Sequence, residues 1–237
     1  MRQLVIVSAG TSQPSTTRML ADRIAATSVE VLGEMGVTAT TAAIEVAPLA
    51  VDVARASVTG VPSKELQAAI DQIAAADAVV ASAPVYKAGL SGLFKSFVDI
   101  LDNDLLIAKP VVLAATAGSS RHALVVDEQM RSLFAYMRAL TLPTSVFAAP
   151  EDWAAAELGE RVGRAATELA VAVHGQIEQG IADRAWSGYE HEFAGNATRA
   201  DQTAADADFD TPLMRLAAGG RTNSASTHQR VTAAHGG

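Results

Sequence analysis

"QLVIVSAGTSQPSTTRML", residues 3–20, changes character twice in one short stretch. Leu4, Val5, Ile6 and Val7 run without polar alternation, as a strand covered on both faces does. A loop of small and hydroxyl residues follows. Met19, Leu20, Ile24, Val31 and Leu32 then recur at helical spacing as far as "GEMG", residues 33–36. The stretch therefore reads as a strand over Gln3–Ser8, a loop and a helix.

The same unit repeats along the chain. Val37–Val46 is Thr- and Val-rich and strand-like, and "APLAVDVARASVTGVP" (47–62) reads as a long connection. Pro62 and Ser63 open a helix carrying Leu66, Ile70 and Ile73. "DAVVASAP" (77–84) is a third strand. A helix from Ser91 to about Asp102 places Leu93, Phe94, Phe97, Val98 and Leu101 on one face, and "PVVLAAT" (110–116) is a fourth strand. A helix from about Ala123 to Leu140, a fifth strand in "TSVFAAP" (144–150) and a long helix from Ala154 to about Ile181 complete the pattern. Five buried strands alternating with five helices imply a doubly wound α/β fold, its parallel sheet covered on both faces. Residues 1–186 form one such domain. Residues 187–237 turn to Gly, Ala, Thr, Asp and Asn, the composition of a largely disordered tail. Its one apolar cluster, "DFDTPLMRLAAGG" (208–220), offers Leu213, Met214 and Leu216 as an alternative docking helix.

Composition narrows the function classes. With 49% hydrophobic and 19% charged residues the chain is globular. It has no Cys, which excludes disulfides, thiol catalysis and Cys-held iron–sulfur clusters. A net charge of −8 argues against nucleic-acid binding, which needs clustered Lys and Arg. No apolar run reaches membrane-helix length and no signal-like segment opens the chain, so the expected location is cytoplasmic, without a membrane partner. No His, Asp and Glu set has metal-ligand spacing, and no G-x-S-x-G elbow occurs.

Ligands of open α/β sheets bind outside the carboxyl ends of the strands, so the loops after the first, third and fourth strands carry the chemistry. The first lacks both G-x-G-x-x-G and a Gly-Lys-Ser/Thr ending. It offers Ser8, Thr11, Ser12, Ser15, Thr16 and Thr17 at a helix N-terminus, a setting for a phosphate monoester or for a simple capped turn. The second, "SAPVYKAGLSGLFKSFVDIL" (82–101), sets Pro84, Val85, Tyr86 and Lys87 at a strand end as a wall for a flat ring. Taken alone, Tyr86 reads equally as a packed amphipathic residue and Lys87 as a solvated charge. The third places Thr116, Ala117, Gly118 and Ser119 in a compact donor-rich turn, with His122 either a general acid/base or a cap.

Together, these loops resemble the NADPH-dependent FMN reductases of the flavodoxin-like superfamily, including those that serve two-component monooxygenases such as the alkanesulfonate system. The resemblance covers about residues 2–181 and is most specific in "SAPVYKAGLSGLFKSFVDIL" and "ATAGSSRHALVVDEQMRSLFAYMRAL" (115–140). It implies a flavodoxin-like three-layer fold with a five-stranded parallel sheet of order 2-1-3-4-5. It also implies that Ser8–Thr17 hold the FMN phosphate, that Pro84–Lys87 line the isoalloxazine, and that Thr116–Ser119 approach its pyrimidine side. Hydride would pass from NADPH to FMN with no protein acid or base, and the reduced flavin would go to a flavin-dependent monooxygenase. A homodimer or homotetramer is expected. Many members carry Arg in the phosphate loop; here "TSQPSTT" leaves hydroxyls, amides and the helix dipole, with Arg18 nearby, which implies exchangeable flavin. Ala117 stands where many members have the first Gly of Thr-Gly-Gly. Some members carry an extra residue in the fourth helix, which singles out "VVDEQMRSLF" (125–134). An FMN-retaining quinone, azo or metal reductase and a flavodoxin-type electron carrier are the alternative readings.

Overall fold

The strands and helices described here are those of a computed structural model that describes residues 1–186. The tail expected over 187–237 lies outside the described residues. The parallel strands are β1 (Arg2–Ser8), β2 (Ala39–Glu45), β3 (Ala78–Tyr86) and β5 (Pro110–Thr116), in the spatial order β2-β1-β3-β5. The next position is shared by two short parallel strands. β6 (Leu140–Thr141) pairs the start of β5 and β7 (Val146–Ala148) pairs its end. The expected order 2-1-3-4-5 is therefore observed, with its fifth strand broken in two. A further two-residue strand, β4 (Gly89–Leu90), folds back antiparallel on β3.

Alternation along β1 shows how the sheet is covered. Leu4 and Ile6 pack with Leu20 and Ile24 of α1 (Thr16–Glu34) and with Leu158, Val162 and Leu169 of α6 (Ala156–His174). Val5 and Val7 face the opposite layer. That layer holds Val53 of α2 (Ala50–Thr59), Ile70 of α3 (Lys64–Ala75), Phe94 and Phe97 of α4 (Gly92–Asp99), and Phe134 of α5 (Arg131–Tyr136). Burying side chains of this size contributes about 1.5–3 kcal/mol each, before conformational entropy is subtracted. Ser15, Ser63 and Ser91 cap α1, α3 and α4 by accepting from the amides of Arg18, Leu66 and Phe94. Among the described residues no helix is long and apolar enough to cross a membrane.

Three elements differ from the sequence reading. Residues 47–62 are not an irregular connection: a 3-10 turn at Ala47–Leu49 runs into α2, which ends at Gly60 with φ 71°. Only Val53 and Ala56 of α2 are buried, while Val51 and Val58 are 71% and 87% exposed, so no apolar period marked it. The helix expected over 123–140 is a 3-10 turn (Ser120–His122), a π turn (Val126–Met130) and the short α5. The π turn keeps Val126, Met130 and Phe134 in the core. The helix expected to run from Ala154 to Ile181 breaks at Gln176, which adopts φ 50°, and resumes as α7 (Ile177–Ala185). That break brings Glu178 within 3.0 Å of the buried Lys109 ammonium, a tertiary contact without a local pattern.

Candidate functional site

The loops after β1, β3 and β5 meet at the carboxyl edge because their strands are neighbours: Ser8 pairs Ser82, and Pro84 pairs Thr116. A cleft of about 320 Å³ opens beside the first loop, lined by Ser8, Thr11, Ser12, Ser15, Arg18 and Glu45 among others. Its floor is the N-terminus of α1, a helix of 19 residues with no acidic side chain in its first turn. The partial positive charge of that end is thus not cancelled from within the helix. The first amides of any helix have no intrahelical acceptor, and of these the Arg18 amide is capped by Ser15 Oγ. Gly10 lets the loop close tightly, since a Cβ there would lie 1.9 Å from Ser15 Oγ. The Gln13–Pro14 bond is cis.

Two cross-links bind the three loops. Thr11 Oγ1 and the Tyr86 hydroxyl are 3.1 Å apart, joining the first loop to the second at the surface. Thr17 Oγ1 and Thr116 Oγ1 are 2.7 Å apart, joining the first to the third in the interior. The Ser82 hydroxyl also donates to the Thr17 carbonyl at 2.9 Å. The fourteen residues that the sequence singled out therefore separate into two groups. Ser8, Thr11, Ser12 and Ser15 line the cleft, and Thr16 is exposed beside Ser15. Tyr86, Lys87 and Gly118 are exposed at the rim, and Ala117 and Ser119 are half-buried. Ser8 is buried at 2% exposure although it borders the cleft; Thr17, Pro84, Val85 and Thr116 are buried as well, and each of these four has a structural partner. The two threonines share one hydrogen bond, the Pro84 carbonyl accepts from the Ser91 amide, and Val85 belongs to the core. Ala117 donates its amide to the Ala148 carbonyl and Ser119 Oγ accepts from the Arg121 amide, which shapes the third loop into an open turn.

Four contributors were not found from sequence. Gly10 was legible in principle as a glycine inside a hydroxyl run. Ser82 and Glu45 reach the site only through the parallel register of β1, β2 and β3. Gln129 belongs to the π turn. Its Oε1 accepts from the Leu90 amide at 3.0 Å and its Nε2 donates to the Ala88 carbonyl at 3.4 Å, so it holds the hairpin that carries Tyr86. The hairpin turn is Lys87-Ala88, with φ of 52° and 64°, a type I′ geometry usually given to Asn-Gly.

Hydroxyls at a helix N-terminus, on the carboxyl edge of a sheet of order 2-1-3-4-5, line a cleft whose chemistry suits a phosphate ester. FMN carries such a group, and the donor set fits it. Residues 1–154 match the family described as NADPH-dependent FMN reductase, and the chain belongs to that family. It is thereby an oxidoreductase of the FMN reductase type. An FMN reductase (NADPH) of Pseudomonas aeruginosa is 37% identical over 153 residues, covering 64% of this chain and 78% of the relative. An NADH-dependent FMN reductase SfnE of Pseudomonas putida is 37% identical over 187 residues, covering 73% and 92%. A solved oxidoreductase of Corynebacterium diphtheriae superposes with a TM-score of 0.72 at 43% identity, covering 74% of this chain and 98% of that one.

Proposed function

We propose that the chain takes hydride from NADPH onto FMN and releases the reduced flavin to a flavin-dependent monooxygenase, acting in the cytoplasm as a homodimer or homotetramer. The observation that carries this reading is the joining of the phosphate-ester cleft to the exposed Tyr86 hairpin by the Thr11–Tyr86 bond. One ligand could then have its charged end at α1 and its ring at the hairpin.

In this reading Ser8, Thr11, Ser12, Ser15 and Thr16 hold the phosphate, with the α1 dipole behind them. Tyr86 and Lys87 flank the ring and the incoming nicotinamide. Ala117, Gly118 and Ser119 approach its polar edge, while Pro84, Val85, Thr17 and Thr116 hold these loops from behind. FMN, when bound, supplies the hydride acceptor. The protein's part is to bring donor and acceptor face to face and to set amide dipoles where negative charge develops. Release of the flavin is favoured by the phosphate loop, which has no Arg or Lys between Ser8 and Thr17. The relatives include both an FMN reductase (NADPH) and an NADH-dependent FMN reductase, so both coenzymes are compared.

The test is to mix flavin-stripped protein with NADPH and follow the nicotinamide absorbance with and without FMN, then repeat with NADH. Oxidation that saturates with FMN is the expected result. FMN binding without oxidation by either coenzyme would mean an electron carrier, and FMN kept bound through turnover would mean a reductase of other acceptors.

A further inference from the structure

Arg18 is the one cationic side chain lining the cleft among the described residues, and Glu45 is the one anionic side chain. The two are bound to each other. Arg18 Nη1 donates to Glu45 Oε1 at 2.8 Å, and Arg18 Nε donates to Asp22 Oδ1 at 2.7 Å. Glu45 is the last residue of β2, and its register partner is Ser8, so the carboxylate sits at the mouth of the phosphate loop by strand pairing. The trio carries one positive and two negative charges. A phosphate monoester arriving there brings about −1.5 to −2 more at neutral pH.

We infer that Glu45 sets how tightly the cleft holds the phosphate end of its flavin: it occupies the Arg18 guanidinium and adds its own negative charge, which keeps FMN exchangeable. The inference rests on the flavin reading above and deepens it by naming a specificity-determining residue. A guanidinium grips phosphate best with two N–H groups in its fork. Here two of its edges already serve carboxylates. All three side chains are partly open to solvent, at 29% for Arg18, 47% for Asp22 and 46% for Glu45, so the effect is moderate and screened by salt. Arg18 therefore confers little of the preference for FMN over riboflavin that an unpaired arginine would give.

The experiment is fluorescence titration of the full chain with FMN and with riboflavin, which shares the ring and ribityl chain but lacks the phosphate. With Glu45→Gln, the FMN dissociation constant falls about five- to tenfold at low ionic strength, from one charge removed at close range, while that of riboflavin stays within about twofold. The gain shrinks in high salt. Asp22→Asn, removing a carboxylate that does not line the cleft, shifts FMN binding in the same direction by less. Unchanged or weaker FMN binding in both variants overturns the inference. Equal loss for FMN and riboflavin in Glu45→Gln also overturns it, because Glu45 would then contact the ribityl chain. In either case wild-type binding of FMN leaves the flavin reading intact. A wild-type chain that binds neither flavin removes that reading, and this inference with it.

Discussion

Ion pairs occur at both edges of the sheet, and the two differ in what else they hold. The amino edge buries a lysine among its pairs. Lys109, 2% exposed, donates to the carbonyls of Ala74 and Ala76 and pairs Glu178, and Arg2 pairs Asp77 at 2.7 Å. The carboxyl edge also presents the hydroxyls of Ser12 and Thr16, a helix with no acidic residue in its first turn, and an exposed Tyr86. Saturated polar groups hold a fold together, whereas groups left available bind. A cavity of about 370 Å³ at the amino edge is lined by Arg2, Asp77, Lys109 and Glu178, which pair with one another.

Substitutions at each edge should separate stability from binding. The largest effect is expected from Lys109→Met, which strands Glu178 and two carbonyls and should cost about 2–3 kcal/mol in urea unfolding. FMN affinity should not change; a parallel loss would mean that the edges are coupled. Gly10→Ala comes next, because its Cβ cannot coexist with Ser15 Oγ. It should weaken FMN binding about tenfold or more, equivalent to about 1.4 kcal/mol, with a smaller loss of stability. Ser15→Ala removes the α1 cap and should cost about 1 kcal/mol of stability together with a several-fold loss in FMN affinity. Ala88→Gly relieves a positive φ at the hairpin and should stabilise by about 1 kcal/mol in the same assay. The smallest change belongs to Tyr86→Phe, which removes only the bond to Thr11. Stability should move by less than about 0.5 kcal/mol, while the KM for FMN rises a few-fold if the strap orients the ring.

The sequence was most legible where burial is continuous. β1, β3 and β5 are buried on both faces, so their apolar runs announced both the strands and the parallel sheet. Hydroxyls at the start of a helix read as a cap or an anion site, and Ser15 takes the capping role. α2 was hidden, since a helix burying only Val53 and Ala56 has no apolar stripe to read. The π turn was hidden for a different reason: its register depends on Val126, Met130 and Phe134 finding the core together.

By itself, the sequence determined the doubly wound class, because continuously apolar strands alternating with helices imply a parallel sheet covered on both faces, and its loops carry the resemblance to the family that the chain belongs to. Only the tertiary structure decided which hydroxyls remain available. Thr17 and Thr116, 99 positions apart in the chain, meet at 2.7 Å and share a buried hydrogen bond. Glu45 looks like the polar end of a strand and stands instead against Arg18 at the cleft. Pairing between distant hydroxyls and charges is set by strand register and packing, and a linear pattern carries neither.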